Sequence, residues 1–461
     1  MYGSSQKGNF FKSLLIALGD CLMVFLAMLA ALTSMGEKYD ISSLNLAPVI
    51  VYAVTFCAVC FGLDMYSIIN RKKYDLLLGV LISCCIASVV AMVYDYFFAG
   101  VSRTRMLAVV FLFFAFVILS AWRLAVNFFT IKTRGHAKLL VIEAKDIDNA
   151  LARKIKYSCL NWFDSWYTQI NIEDEEEFDS FLKGEFTEYE NIFITQSIPE
   201  YRKKTIVAEA IRMDKNIYML PSLYDINITK YHMVQFDDTP SFQIKPFRLT
   251  QGQRLIKRIF DFAVSLLAVV LTSPIMLIIA AAIRLDSKGP VFYRQERVTR
   301  GGKRFMICKF RTMRADAEKM SGPVLAADDD PRITRSGRIL RMTRLDELPQ
   351  LFNILLGDMS IVGPRPERPF FVDQFCDEIE DYDKRLSVKA GLTGYAQVYA
   401  RYDTEAADKL LYDLIYIREY SFLLDLKIIL LTVKTIFTKE ASDGVKEAPD
   451  WQNQSAEEMK K

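Results

Sequence analysis

The sequence predicts a membrane protein in three parts: an N-terminal four-helix transmembrane bundle, an α/β middle domain and an α-rich C-terminal domain with a re-entrant membrane helix. Three observations predict it. Hydrophobic residues make up 52% of the 461 positions although 25% are charged, so apolar blocks must alternate with charged ones. Four apolar segments of spanning length follow one another in residues 1–133. A fifth, after a region of alternating strand and helix patterns, has proline at its centre and basic residues on both flanks.

The first four segments run roughly Phe11 to Met35, Leu46 to Tyr66, Leu76 to Phe98 and Met106 to Phe129. About 20 apolar residues cross a hydrocarbon core, and each segment meets that length. The first is too long and poorly flanked for a cleaved signal peptide, and three more spans follow it. Lys7 and Lys12, Arg71-Lys72-Lys73, and Lys132, Arg134 and Lys138 fall on one side, which should be cytoplasmic. Arg103 and Arg105, in the third loop, run against that assignment. Asp20, Asp64 and Arg123 lie in or near the spans, where anchoring pairs are expected ahead of a transport path.

Net charge is only +3, so no global field points to nucleic acid, and no nucleic-acid partner is expected. With only His136 and His232, a histidine metal site or a Ser-His relay is disfavoured. Of eight cysteines, Cys57-x-x-Cys60 has a redox or zinc spacing, but no second pair joins it. Small packing residues in lipid is the plainer reading.

Residues 134–247 alternate strand and helix signals. Leu139-Leu140-Val141-Ile142 reads as a buried parallel strand, Asp146 to Lys156 as a helix with Asp146 as N-cap, and Trp166 to Ile172 as a second strand. Asn191 to Thr195 gives a third strand, a helix runs to about Met213, and Ile217 to Leu220 gives a fourth. This favours a small Rossmann-like sheet. The glycines that admit a pyrophosphate are missing after the first strand, where Glu143-Ala144-Lys145-Asp146 stands, so a structural or assembly module is favoured over a ligand sensor. The acidic run from Glu173 to Glu177 reads as a solvated face.

Ser241 to Gly252 reads as a linker, followed by the basic amphipathic start Arg254-Leu255-Ile256-Lys257-Arg258. Ile259 to Ile283 is long enough to span. Ser273-Pro274 sits at its centre, where proline removes a hydrogen bond and bends a helix. Basic flanks at both ends favour a helix of about 254–284 that enters, breaks at Ser273-Pro274 and returns to the same face.

Residues 248–441 hold the chemistry. Between Arg284 and Arg314 ten Lys/Arg residues face two acids, a surface suited to anionic lipid or to phosphate. Asp328-Asp329-Asp330-Pro331-Arg332 reads as a solvated acidic turn. Arg344-Leu345-Asp346-Glu347-Leu348-Pro349-Gln350 places two adjacent carboxylates in a helix-prone setting, one free to attack and the other to hold a metal. Arg365, held between Pro364 and Pro366, offers a guanidinium at low entropic cost.

Six motifs occur in order: Gly289-Pro290-Val291-Phe292-Tyr293-Arg294-Gln295, Lys309-Phe310-Arg311-Thr312-Met313, Asp330-Pro331-Arg332, Asp346-Glu347-Leu348-Pro349-Gln350, Gly357 through Pro366, and Gly391-Leu392-Thr393-Gly394. Together they resemble the bacterial sugar transferase family, the monotopic polyprenyl-phosphate phosphoglycosyl transferases, from about Arg254 to Glu440. The preceding spans and α/β module are similar to the long-form members, such as undecaprenyl-phosphate galactose or glucose phosphotransferases. The resemblance implies transfer of a hexose-1-phosphate from a UDP-hexose to undecaprenyl phosphate, which starts exopolysaccharide or O-antigen assembly. It implies Asp346 as covalent nucleophile, Glu347 as ligand of Mg2+, and Lys309, Arg311, Arg341 and Arg365 as phosphate-binding residues. It also implies a break at Ser273 and Pro274, a place in the bacterial inner membrane among membrane lipid with the soluble parts in the cytoplasm, and admits a homodimer. Thr299 stands where the family usually has glycine, Ala390 where it has proline, and Tyr399-Ala400-Arg401 where it has Asn-Gly-Arg. The alternative is a non-catalytic membrane scaffold of a polysaccharide assembly complex, which has no physical need of the carboxylate pair. Ala406 to Tyr420 and Leu424 to Phe437 read as amphipathic helices, with interface contact favoured for the second, and 442–461 as a disordered tail.

Overall fold

The computed structural model describes residues 4–35, 46–66, 73–99, 105–134, 137–144, 163–170, 174–195, 197–219, 225–226, 231–236, 239–244, 246–314, 332–400 and 404–436. The chain forms two compact units, Met1–Pro221 and Ser222–Lys461. The expected helix at 146–156, the acidic turn at 328–331 and the tail from 442 lie outside the described residues.

The first unit opens with helices α1 (Ser4–Ser34), α2 (Ala47–Gly62), α3 (Lys73–Tyr94, continued by a π-helical turn at Asp95–Ala99) and α4 (Arg105–Arg134). α1, α3 and α4 are long and apolar enough to cross a membrane. α2 is shorter than its sequence suggests. It has 16 residues, about 24 Å of helix, because Leu63–Tyr66 turn away and Asp64 takes φ 55°. The intramembrane charges pair. Asp20 accepts from Arg123 and from the Tyr66 hydroxyl (2.7 Å), and Arg123 donates to the Met65 carbonyl (3.1 Å). One ion pair thus ties α1 and α4 to the turn after α2. Cys57 and Cys60 take different partners, Cys21 and Ser83, and no cluster of three metal-ligating side chains occurs among the described residues.

The α/β part is a four-stranded parallel sheet, order β2-β1-β3-β4, from β1 (Ala137–Ala144), β2 (Phe163–Ile170), β3 (Asn191–Ile194) and β4 (Asn216–Met219). β1 is central because Leu139 to Ile142 is apolar on both faces, as a strand covered on both sides requires. α5 (Glu175–Lys183) was not read from the sequence: the acidic run is its first turn. Asp174 caps it, accepting from the Glu176 and Glu177 amides, and carboxylates there suit the positive end of the helix dipole. Phe178, Phe181 and Leu182 form its buried face, and α6 (Glu200–Arg212) precedes β4.

In the second unit, part of the expected linker is a strand. β5 (Tyr231–Phe236) and β6 (Thr239–Ile244) form an antiparallel hairpin, and Pro240 is accommodated because a two-stranded ribbon consists of edges. α7 runs from Gln251 to Asp286, opened by a Thr250/Gln253 capping box. Its N-terminal half is pinned by Lys257 to Asp425 (2.6 Å), by the Arg258 fork to the Ile354 and Leu355 carbonyls (2.6 and 2.8 Å), and by Asp261, which accepts from the Ile361 amide (3.1 Å). Its C-terminal half packs Met276, Ile279 and Ile283 on Phe310 and Leu340, and Asp286 accepts from Ser336. At Pro274 the missing N–H would strand the Val270 carbonyl, and Ser273 Oγ donates to that carbonyl at 2.8 Å. The other face, including Leu267, Leu271, Leu277 and Ile278, is exposed and apolar.

Beyond α7, β7 (Phe292–Val298) and β8 (Arg304–Phe310) form a hairpin, followed by α8 (Arg335–Thr343) and α9 (Gln350–Leu356). β9 (Ser360–Val362) and β10 (Gly391–Thr393) pair in parallel. They approach so closely that a Cβ on Gly391 would lie 2.1 Å from the Gly363 nitrogen, which explains glycine in both motifs. α10 (Pro369–Glu378) precedes β10, and α11 (Ala406–Glu419) and α12 (Phe422–Ile436) complete the core.

Candidate active site

The two carboxylates sit in an elbow rather than on an α-helix. α8 stops where Arg344 adopts φ 54°, a conformation that costs a non-glycine residue about 1–2 kcal/mol. Leu345–Glu347 then make one 3-10 turn, and Pro349 caps α9. At three residues per turn, Asp346 and Glu347 diverge by about 120°, more than on an α-helix. Leu345 and Leu348 hold the elbow in place. Leu348 packs both on the cluster with Met276, Ile279 and Ile283 and on the larger core.

Glu347 Oε1 accepts from Lys309 Nζ at 2.7 Å and lies 3.5 Å from Arg365. Burial acts to raise the Glu347 carboxyl, but Lys309 and Arg365 outweigh it and hold it at about 2. Asp346 differs. Burial, then the neighbouring Glu347 charge, push its carboxyl above the usual aspartate range, against Lys309 and Arg341. Among the described residues no other side chain forms a salt bridge or hydrogen bond to it. One carboxylate is therefore fixed and neutralised, the other open.

Of the predicted cations, Lys309 and Arg365 reach the pair. Arg341 stands beside it with its Nε on Thr312 Oγ1 (3.0 Å). Arg311 is not brought there with a free fork: it is buried and donates to Ser287 O and Oγ and to the Lys288 carbonyl, closing the end of α7.

The sequence reading did not include the residues that hold these groups. Asn353 clamps β8 like an added strand: its Oδ1 accepts from the Cys308 amide and its Nδ2 donates to the Met306 carbonyl, both at 2.9 Å. Lys309 follows directly. Arg385 donates to the Arg365 carbonyl (3.0 Å) and pairs with Asp413 and the Tyr382 hydroxyl, fixing the Pro364–Pro366 segment from behind. Arg297 has a buried Nε without a partner among the described residues; burial lowers its pKa, as do Arg365 and Arg368 nearby. Crowded cations with an unused donor suit an anion with several oxygens. The signal for Asn353 and Asp413 was only a polar residue in an apolar helical stripe.

The family model described as bacterial sugar transferase matches residues 252–439. The chain is 41% identical to a UDP-N-acetylgalactosamine-undecaprenyl-phosphate N-acetylgalactosaminephosphotransferase of Aeromonas hydrophila, over 46% of this chain and 53% of that protein. It is 36% identical to a UDP-glucose:undecaprenyl-phosphate glucose-1-phosphate transferase of Escherichia coli (strain K12), over 55% of each. A protein of the same description from Caulobacter vibrioides (strain ATCC 19089 / CIP 103742 / CB 15) is 42% identical over 40% of this chain and 71% of its own length. The chain thus spans about half the length of the first two relatives and more of the third.

Proposed function

This chain belongs to the bacterial sugar transferase family, and we propose on that premise that it transfers a hexose-1-phosphate from a UDP-sugar to undecaprenyl phosphate. That product would begin assembly of an exopolysaccharide, O-antigen or capsule. The observation that carries the reading is the asymmetry of the pair: Asp346 open, Glu347 tied to Lys309 and Arg365.

In the proposed reaction an Asp346 oxygen attacks the β-phosphorus of the UDP-sugar. The bond from that phosphorus to the bridging oxygen breaks, and UMP leaves with the electron pair. An oxygen of undecaprenyl phosphate then attacks the same phosphorus, the acyl-phosphate bond breaks, and the Asp346 carboxylate is restored. Lys309, Arg341 and Arg365, with Arg297, neutralise the charge that gathers on the phosphoryl oxygens. Mg2+ commonly takes one or two carboxylates and completes its shell with phosphate and water. Glu347 would hold it, in exchange for part of the Glu347 contact with Lys309 and Arg365. No cluster of three metal-ligating side chains occurs among the described residues, so phosphate and water would have to supply the other ligands of the ion. When bound, it supplies charge to the diphosphate. Arg311 holds the end of α7 in this scheme rather than contacting phosphate.

α7 is proposed to enter the cytoplasmic leaflet of the inner membrane and return to the same face. Both of its halves pack on one domain, Leu348 touches the clusters of both, and Ser273 satisfies the carbonyl that Pro274 strands. A straight helix of this length would measure about 54 Å. The parallel sheet of the first unit supports a Rossmann-like module, without phosphate-binding glycines.

The test is transfer in membranes carrying the full chain. Radiolabelled UDP-Glc, UDP-Gal, UDP-GlcNAc and UDP-GalNAc are each offered with undecaprenyl phosphate. One donor should yield organic-extractable label and release UMP. No label from any donor, or transfer that continues undiminished in Asp346→Asn, overturns the proposal.

A further inference from the structure

The bundle of the first unit contains a cavity that the proposed chemistry does not use. It measures about 70 Å³, several times the roughly 10–15 Å³ that one water needs. Its lining includes Met28, Val49 and Phe111, which are apolar, and Tyr52, Ser88 and Asp95, which are not. Tyr52 is wholly buried, and its hydroxyl, beside Ser88 and Cys84, makes no hydrogen bond of good geometry among the described residues. Ser88 Oγ and Asp95 Oδ1 are likewise buried atoms without a partner among the described residues. Leaving one such group unsatisfied is costly, and more so for a carboxylate. Three of them lining one cavity, each on an otherwise apolar helix, point to something that answers them.

A second feature marks the same place. α3 gives way to its π-helical turn at Asp95. Such turns are rare and occur often at functional sites. Here the turn carries the one carboxylate of the lining.

The lining fixes the chemistry of the occupant. An ionised carboxylate only accepts hydrogen bonds, whereas the two hydroxyls can donate or accept. The complementary head is rich in donors and is favoured further if cationic. A primary ammonium has three donors and no acceptor. A carboxylate or phosphate head would meet Asp95 charge against charge. The apolar walls suit an alkyl chain, and Met92, also in the lining, is 48% exposed, so a longer chain can pass out along it.

We propose that this cavity binds an amphiphile with a primary ammonium head and an alkyl tail, the ammonium on Asp95 and within reach of Tyr52 and Ser88. The head could be supplied by an ethanolamine phospholipid of the bilayer or by a free alkylamine; the chemistry is shared and the experiment separates them.

The full chain is placed in nanodiscs of choline phospholipid, whose head has no N–H, and probed with octylamine carrying a photoreactive diazirine. Adducts are mapped by mass spectrometry. Labelling should fall on the cavity walls, at 88–95 and 107–111. Unlabelled octylamine should compete at least tenfold better than octanoate. Asp95→Asn should reduce labelling about tenfold and Tyr52→Phe severalfold, with transferase activity and unfolding temperature retained as the check on folding. Competition by ethanolamine phospholipid assigns the bilayer as source; competition by octylamine alone assigns a free amine. Labelling that ignores both substitutions, or octanoate competing as well as octylamine, would mean a water-filled cavity and nonspecific partition, and overturns the proposal. Asp95→Leu, which changes shape as well as charge, should reduce labelling about as far as Asp95→Asn, because the charge is what both remove.

Discussion

Lys309 Nζ stands 2.7 Å from Glu347 Oε1, and that contact makes two adjacent carboxylates unequal. Glu347 is held ionised by cations, while Asp346, one residue away, is raised by burial and by Glu347 itself. Two titratable neighbours pushed in opposite directions is the arrangement expected where each has its own task.

The Glu347 contact predicts a pH dependence of stability. Its folded-state pKa, about 2, lies below the ordinary 4.5. The stabilisation is therefore complete above pH 4.5 and lost as pH falls toward 2. It is on the order of 3 kcal/mol for a side chain this well shielded. Thermal unfolding of Lys309→Met should lose most of the difference between pH 5.5 and pH 3 that the unmodified chain shows. An unchanged difference would mean that Lys309 does not hold Glu347.

Asn353 should behave as a positioning residue. Asn353→Leu strands the Cys308 amide and the Met306 carbonyl, each worth about 1–3 kcal/mol when left unsatisfied. We expect a lower unfolding temperature and at least a tenfold fall in kcat, because Lys309 moves with β8. Asn353→Asp retains one of the two bonds and should fall between. Equal activity in all three proteins would remove the positioning role.

The elements of this domain were legible in the sequence to different degrees. Three of the four N-terminal spans were readable because lipid demands long apolar runs, and β1 and β3 because burial on both faces leaves no alternation. α5 was missed since its charged first turn outweighs a narrow stripe of Phe178, Phe181 and Leu182. Asp346 and Glu347 were found from their adjacency, but their elbow was not. A left-handed Arg344 is set by the packing of Leu345 and Leu348, which sequence spacing does not display. Arg311 looked like its neighbours Lys309 and Arg314, and only the path of α7 shows that its two terminal nitrogens are given to Ser287 and Lys288, with its buried Nε left without a partner among the described residues.

Two departures from the family pattern are linked. The Ala390 amide donates to Thr299 Oγ1 (3.2 Å), which in turn donates to the Asp358 carbonyl (2.8 Å). Proline at 390 has no N–H to give, and glycine at 299 has no hydroxyl to receive it. Ala390→Pro alone should destabilise, Thr299→Gly alone likewise, and the double variant by less than their sum. A coupling of about 1 kcal/mol is expected from denaturant unfolding. Strict additivity would mean that the two positions are not energetically coupled.

The path of α7 can be read from outside sealed cells. In a cysteine-free background, Gly252→Cys and Lys288→Cys flank the helix. Neither should react with an impermeant maleimide until the membrane is opened. Reaction of Lys288→Cys alone in intact cells would mean a crossing helix, with the charged surface around Asp346 outside.

The most direct measurement is the intact mass of the full chain after incubation with its UDP-sugar and no lipid acceptor. The chain should gain the mass of one sugar phosphate, mapped to Asp346, and release one UMP. Undecaprenyl phosphate should then discharge it. The adduct should form less as pH falls through the raised Asp346 pKa, and be absent from Asp346→Asn. Transfer to lipid without a covalent intermediate at any time point, or an adduct on another residue, would contradict Asp346 as the nucleophile.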